Sequence, residues 1–437
     1  PGQKSEVSLY GLFTNSVLDI SEGNKVSVKI TVDYSAGETE YHKDYVDTIR
    51  LNNRNAITWD DDRKVSAFVT ARDSEVLKFS KNVTGMIQGH ASRALHSHLI
   101  QAMGMLEGLR AYGITYVVDP NTPYREFSQK KIAVDFIQFP VQTLQYKAGD
   151  CDDLSILYNA LLQSVGIKTA FITIPGHILS AFSLDLRPDL AGKMFNNSKN
   201  LLFKEGNTWI PVETTALAEG FLRAWELGAQ EWRENTAHDK AGFYPTEEAW
   251  KTYEPVGFQQ KAAVALPDKS IVVEYFQEDV TQFVHMEIQE RENLLLARIQ
   301  KSGKDTKLLN SLGVLYARYG LEEKALEQFR KLLKREDFIP ALLNTGNIYY
   351  LREDYNTALS YYEKAYEKDH DNAKVLLSIS RAQHRLGNLS EAKSMYERLK
   401  TLDPDLALSV SYLKSQNTGQ ARASSITVQD EIMLWDE

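Results

Sequence analysis

The chain has a single cysteine, Cys151, in 437 residues. A lone thiol excludes an internal disulfide and any cysteine-rich metal site. Long apolar runs are missing too, and none approaches the ~20 residues a membrane-spanning helix needs. Positive charge falls short of negative, leaving a net charge of −9. No basic cluster stands out against that balance, which argues against a general nucleic-acid binder. What is present, 43% hydrophobic and 25% charged residues, fits a soluble globular protein, and the length predicts two or three domains. The first residue is Pro1 rather than Met, so the expectation is a processed or truncated product, from which a signal peptide or lipoprotein leader could have been removed.

The only thiol sits in a telling place. In Tyr146–Ile167, YKAGDCDDLSILYNALLQSVGI, Gly149 allows a tight approach and Asp150 is a good N-cap. Leu154, Leu157, Leu161 and Leu162 then recur at the spacing of a buried helix stripe, and Gly166 ends the helix. Cys151 is therefore predicted at a helix N-terminus, where the partial positive charge favours thiolate and free N–H groups can hold an oxyanion. A strand, Thr169 to Ile174, follows. His177 opens a second strand, HILSAFSL, and Glu213 closes a third, TWIPVET. Cys, His and a carboxylate on a helix start and two neighbouring strands form a nucleophile, base and orienter. His177 would take the thiol proton, and Glu213 would fix its tautomer.

The motifs GDCDDLS, PGHILSAF and WIPVETT resemble the transglutaminase-like cysteine peptidase superfamily, over about Ala56 to Gln230. NAITWDDDRKVSAFVTARD (Asn55 to Asp73) and FIQFPVQTLQYKAGDCDD (Phe136 to Asp153) are similar to bacterial members that carry helical repeats. The resemblance implies a papain-like α+β fold with catalytic residues Cys151, His177 and Glu213, the last standing where many members have Asp. It also implies an oxyanion donor upstream of the nucleophile, with Tyr116 the candidate and Gln138 and Gln142 its rivals. The backbone N–H of Cys151 is a further donor that needs no side chain. Asp150, Asp152 and Asp153 have two readings. In one, Asp150 caps the helix while Asp152 and Asp153 complement its dipole. In the other they share a calcium, as in some periplasmic members. No cofactor is required, and calcium is optional. One of these aspartates could also pair with Arg125.

The remaining stretches are read for support. Residues 1–53 are β structure, with Val26, Val28, Ile30 and Val32 alternating and Tyr41 to Leu51 a further strand. They are either the remnant of an immunoglobulin-like sandwich or strands packed on the catalytic domain, structural support being preferred. Ile57 to Leu109 turns helical, and its His90, His96 and His98 lack ligand spacing, so they read as solvated helix histidines. Tyr112 to Tyr124 is a strand and a proline-rich turn. Asp185 to Asn200 is a polar loop of lid-like length. Thr236 to Asp268 wraps the domain surface, its aromatics being candidates for a substrate groove. Val273 to Ile299 is one long helix.

An internal repeat begins near Thr306. Gly313, Gly346 and Ser380 are spaced by 33 and 34 residues, as are Ala325, Ala358 and Ala392, and Phe329, Tyr362 and Tyr396. Small residues let paired helices approach and aromatics fill the gap between them, the pattern of a solenoid. NTGNIYYLREDYNTALSYYEKAYEKD is similar to a tetratricopeptide unit. The expected organisation is an N-terminal β segment (1–53), a transglutaminase-like domain (54–270), a connecting helix (271–305), three tetratricopeptide units (306–408) and a polar tail (409–437). Met433, Leu434 and Trp435 are apolar enough to dock on this chain's own groove or a partner's. The expected function is a cysteine peptidase or amidase whose repeats hold a protein or peptide partner, with no nucleic acid and no membrane span, located in a bacterial envelope or periplasm. The alternatives are an inactive scaffold for an envelope or surface complex, and a protein cross-linking acyltransferase.

Overall fold

The computed structural model describes residues 13–91, 95–119, 133–195, 198–257, 263–302, 305–410, 413 and 435. The architecture is mixed α+β followed by an all-helical region of repeated pairs. Arg125 lies outside the described residues.

A five-stranded antiparallel sheet forms the centre of the first part. Its strands lie in the spatial order Gly242–Pro245, Thr169–Ile174, His177–Ser183, Asn207–Val212 and Leu202–Lys204. Thr169–Ile174 and His177–Ser183 form a hairpin through Gly176, whose φ of 74° suits a residue without a Cβ. The helix Cys151–Ser164 packs on this sheet, and Ser74–Ile87 and Ser97–Tyr112 pack around it. The sequence suggested one leucine stripe on the Cys151 helix. Instead every residue from Cys151 to Leu162 is buried, because sheet and helices enclose it on all sides.

The connecting helix runs from Lys269 to Ser302 and buries Phe276, Phe283 and Ile288 in the same apolar cluster as the Cys151 helix. That cluster continues into Leu309, Leu312 and Leu315 of the first helical pair, so the two parts share one core. The Asp185–Asn200 stretch contains a short helix, Pro188–Met194, and is anchored rather than free. Phe195 stacks edge-on against Trp225 and Phe283, and the Tyr319 hydroxyl donates to the Met194 carbonyl.

Three helix pairs follow: Thr306–Arg318 with Glu322–Leu333, Ile339–Leu351 with Tyr355–Lys368, and Ala373–Leu386 with Leu389–Leu402. The small residues act as expected. A Cβ on Gly313 would lie 2.4 Å from the Phe329 ring, and one on Gly346 would lie 2.4 Å from the Tyr362 ring. Ser380, in the equivalent place, donates instead to the Ala392 carbonyl at 2.7 Å.

The N-terminal strands form where the sequence alternation places them. Asn24–Ala36 and Thr39–Leu51 pair with each other as a long two-stranded ribbon. Tyr34, Tyr41, Tyr45 and Ile49 stay exposed, Val26, Val28 and Ile30 are half-buried, and Tyr34 stacks on Tyr41. Alternation specified strands, but not what they would pack against. His96 and His98 differ from the solvated reading. His98 is half-buried with Nδ1 2.9 Å from the Ser183 carbonyl, and His96 caps the helix that His98 enters. Thr115–Tyr116 is all the strand described in the Tyr112 region.

Candidate active site

Cys151 is the first residue of its helix and is 5% exposed. Gly149 makes the approach possible, since a Cβ there would lie 2.6 Å from the Asp153 Cβ. Cys151, Ser155 and Asn159 recur every four residues and so share one face of the helix. From that face Ser155 bonds the Thr214 hydroxyl at 3.0 Å, and Asn159 accepts from Ser180 at 2.5 Å and donates to the Ala170 carbonyl. These buried polar bonds tie the helix to the His177 strand and to the residue after Glu213. They were not noticed in the sequence, although a small and polar row on an otherwise apolar helix was the available signal.

His177 starts its strand beside the site. Its Nε2 lies 2.5 Å from Glu213 Oε2, which leaves Nδ1 as the other ring nitrogen. Glu213 Oε1 accepts from the Thr215 N–H at 3.0 Å and from the Thr215 hydroxyl, so the carboxylate is held from two sides. The backbone N–H of Ile178 donates toward the Cys151 sulfur, which brings the thiol to the residue next to His177. Burial works against the His177 cation, but the Glu213 hydrogen bond and charge more than offset it and raise the imidazole above its ordinary value. Glu213 is lowered overall: burial opposes its charge and the His177 bond outweighs that.

A fourth residue belongs here and was missed. Glu231, on the helix Phe221–Thr236, has Oε2 3.8 Å from His177 Nε2 and hydrogen-bonds Glu213. Burial, then the Glu213 charge, push its carboxyl up to about 8, so Glu231 is the partner that keeps a proton. Its helix comes close because Gly228 has no side chain. A Cβ there would lie 2.9 Å from the Pro211 carbonyl carbon and the Val212 nitrogen.

The thiol itself is not in the activating environment that a bare helix terminus suggests. Burial pushes it well up, and the Asp152 and Asp150 charges push further, against the Ile178 N–H. Asp150 occupies the N-cap position, but its carboxylate makes no capping bond. It turns to Asp152 instead, while the Asp150 N–H donates to Asp153, the back-bond of a capping box. Asp152 and Asp153 are buried rather than solvated in the first turn, and burial followed by the Asp150 charge raises both. The three carboxylates each offer an oxygen within 4.8 Å of the others, and Asp150 Oδ1 is buried without a hydrogen-bond partner. Such a set fits a hard cation as three of the roughly six to eight oxygens that calcium takes.

Of the oxyanion candidates, Tyr116 is the one at the site. Its strand pairs with Ala148–Gly149, Tyr116 opposite Gly149. Burial and then the charges of Cys151, Asp150 and Glu213 raise its hydroxyl, which places it within their electrostatic reach. Gln138 and Gln142 serve the scaffold. The Gln138 N–H and side-chain amide grip Asp153 at 2.7 and 2.6 Å, and Gln142 Oε1 accepts from Asn55 and the Phe139 N–H. The aromatics proposed for a groove are likewise structural: Phe243 packs on Trp209 and Trp232, Trp250 donates to the Ser66 carbonyl, and Tyr253 donates to Asp61.

Residues 349–423 match the family model of the tetratricopeptide repeat. Similar solved structures include the first TPR of Spaghetti (RPAP3) bound to an HSP90 peptide, 23% identical, covering 27% of this chain and 94% of that one with a TM-score of 0.25. MamA is 15% identical, covering 32% of this chain and 86% of that one with a TM-score of 0.26. No curated protein sequence matches the chain. The repeats suggest a protein-interaction module. Among the described residues no helix is long and apolar enough to cross a membrane.

Proposed function

We propose that the first part of the chain is a transglutaminase-like cysteine hydrolase acting on amide bonds, and that the repeats hold a protein or peptide partner near it. One observation carries the reading: a helix-initial cysteine beside the Ile178 N–H, with His177 fixed through Nε2 by Glu213. The transglutaminase-like character rests on that geometry and on the three sequence motifs, since the matched family residues fall in the repeats and the segment after them.

In the proposed reaction His177 takes the thiol proton on Nδ1 and Cys151 Sγ attacks the carbonyl carbon. The Cys151 N–H and the Tyr116 hydroxyl receive the developing oxyanion. The C–N bond breaks, the amine leaves with the proton returned by His177, and a thioester remains. Water, deprotonated by His177, then releases the acid and restores the thiol. Calcium at Asp150, Asp152 and Asp153 would supply positive charge beside the helix start, offsetting the acidic crowd.

A second reading is a non-catalytic scaffold of the same fold. The observation favouring it is the deep burial of Cys151 among Asp150 and Asp152. A peptidyl electrophile with mass-spectrometric readout separates the two, because the chain has one thiol. Labelling at Cys151 that His177→Ala removes, in a variant with unchanged melting, supports the hydrolase. Labelling at the same slow rate in both proteins leaves the scaffold.

A further inference from the structure

The ribbon of Asn24–Ala36 and Thr39–Leu51 has two unlike faces, because side chains alternate along each strand and opposite residues share a side. One face is polar apart from Val46, and its charges answer each other within the ribbon. There Lys29 pairs with Asp44 at 2.8 Å, the Thr31 hydroxyl donates to Asp44, and His42 bonds Asp33. The other face is apolar along the whole run from Val26 to Tyr34, set opposite Tyr41, Tyr45 and Ile49. Among the described residues the two strands form a sheet only with each other. A two-stranded sheet is marginal in water unless its apolar face is covered. Yet Val32, Tyr34, Tyr41 and Tyr45 are between 41% and 53% exposed.

Two charges on that face point to what covers it. Lys43 and Asp47 stand opposite Val32 and Val28. Neither forms an ion pair among the described residues. Lys43 Nζ lies 5.9 Å over the Tyr34 ring, and the Asp47 carboxylate accepts from the Thr48 N–H. They flank Tyr45 symmetrically, so the second strand presents Tyr41, Lys43, Tyr45, Asp47 and Ile49 in a row. Reversing that row end to end leaves apolar positions apolar and exchanges plus for minus. The first strand, apolar throughout its row, survives the same reversal. Such a surface is complementary to itself, as an isologous contact requires. A two-fold axis lying between two ribbons, across the strands at Tyr45, sets Lys43 of each copy against Asp47 of the other.

We propose that this face is a homodimer interface, with two copies of the chain packed ribbon on ribbon. Their second strands run antiparallel, Tyr45 lies at the centre, and two Lys43–Asp47 pairs flank it. Sheets stacked this way lie about 10 Å apart, a gap that a lysine and an aspartate reaching from opposite layers can close. The inference is independent of Cys151 chemistry and of what the repeats bind.

Sedimentation equilibrium of the full chain tests it, from about 1 to about 200 µM, the range suited to an interface below standard size. The wild type is expected to pass from monomer to dimer. Lys43→Glu puts like charges across both pairs, and so does Asp47→Lys, so each should weaken the dimer about tenfold or more. An equimolar mixture of these two variants restores opposite charges across the axis and should dimerise within about threefold of the wild type. Mixing cannot rescue a contact inside one chain, which separates a second copy from cover by the chain's own residues. A wild type that stays monomeric, single variants that dimerise like it, or a mixture that stays monomeric overturns the proposal. If the single variants lose strand signal, the double variant Lys43→Glu, Asp47→Lys takes their place. It must dimerise like the wild type, and a monomer overturns the proposal equally.

Discussion

Nε2 of His177 lies 2.5 Å from Oε2 of Glu213, and both groups are largely withdrawn from water. A short charged bond of this kind sets both the tautomer and the charge of the ring. His177 has its folded value raised above 6.5, so the pair stabilises the protein fully below that pH and fades as pH rises through the folded value. Glu213→Gln removes the cause. The His177 titration followed by NMR should move down, and any hydrolase activity should fall roughly 10²–10⁴-fold. An unchanged His177 titration would show that Glu213 does not govern the ring.

Glu231 stands differently toward the same imidazole. Its carboxyl is pushed up to about 8, so near pH 6.5 it is the protonated member of the Glu213–Glu231 pair. Gln reproduces that protonated shape. Glu231→Gln should therefore keep turnover within about threefold at pH 6.5, and Glu231→Ala should lose more by leaving Glu213 a partner short. The pH–rate profile adds a second check: an inflection near pH 8 in the wild type should vanish in Glu231→Gln. Loss of activity at pH 6.5 in Glu231→Gln would give Glu231 a charged role instead.

Glu231 shows where sequence reading stops. That Cys151 starts a helix and that His177 and Glu213 stand on neighbouring strands was legible, because residue type, order and local pattern point the same way. Glu231 shares its helix with Glu226 and Glu234, and nothing local separates a site carboxylate from a solvated one. Gly228, three residues earlier on the same side, held the only hint, and its meaning depends on the approach of the Pro211–Glu213 backbone. The acidic run failed for a related reason. Asp150 has the right type and position for a cap, yet its carboxylate is drawn to Asp152 in a buried cluster that spacing cannot foresee. The helical pairs read correctly because each Gly–aromatic contact is local to one pair, whereas the partner of the N-terminal ribbon is not encoded by alternation.

A second pair of acids joins two other helices, Glu107 on Ser97–Tyr112 and Asp279 on Lys269–Ser302. Glu107 and Asp279 both accept from the Phe221 N–H, at 2.9 and 3.1 Å, joining the connecting helix to the helix that carries Glu231. Burial, then the Asp279 bond and charge, push Glu107 from 4.5 up to about 8. The folded protein thus keeps a proton that the unfolded chain releases above 4.5. This contribution to stability is complete below that pH and is lost as pH rises through about 8. Glu107→Gln cannot ionise, so its melting temperature should fall less between pH 5 and pH 8.5. A difference of about 1 °C corresponds to roughly 1 kcal/mol in a chain of 437 residues that melts as one unit. Parallel pH curves for both proteins would refute the assignment.

Calcium gives a prediction that needs no activity. Cation binding at Asp150, Asp152 and Asp153 would satisfy the buried Asp150 Oδ1 and relieve repulsion among three carboxylates. Millimolar calcium should raise the melting temperature of the wild type, and a chelator should reverse the gain. Asp150→Asn should abolish the response while melting at or above the calcium-free wild type, since one buried charge is gone. A calcium response that survives this substitution would place the cation elsewhere.

The repeats can be perturbed without touching the thiol. Gly346 has no room for a side chain, because its Cβ would fall 2.4 Å from the Tyr362 ring, whose hydroxyl is in turn bonded to Asn347. Both residues of that contact are buried, so the ring has nowhere to go without breaking its hydrogen bond. Gly346→Val should cost about 1–3 kcal/mol through overpacking. The loss should fall on the second pair and its neighbours, read as faster amide exchange over Ile339–Lys368, with peptide binding weakened. Cys151 labelling should stay at the wild-type rate, because the His177–Glu213 pair and the Cys151 helix are fixed by the sheet and by Ser155 and Asn159. If labelling falls together with peptide binding, the two parts act as one cooperative unit through the core they share along Lys269–Ser302.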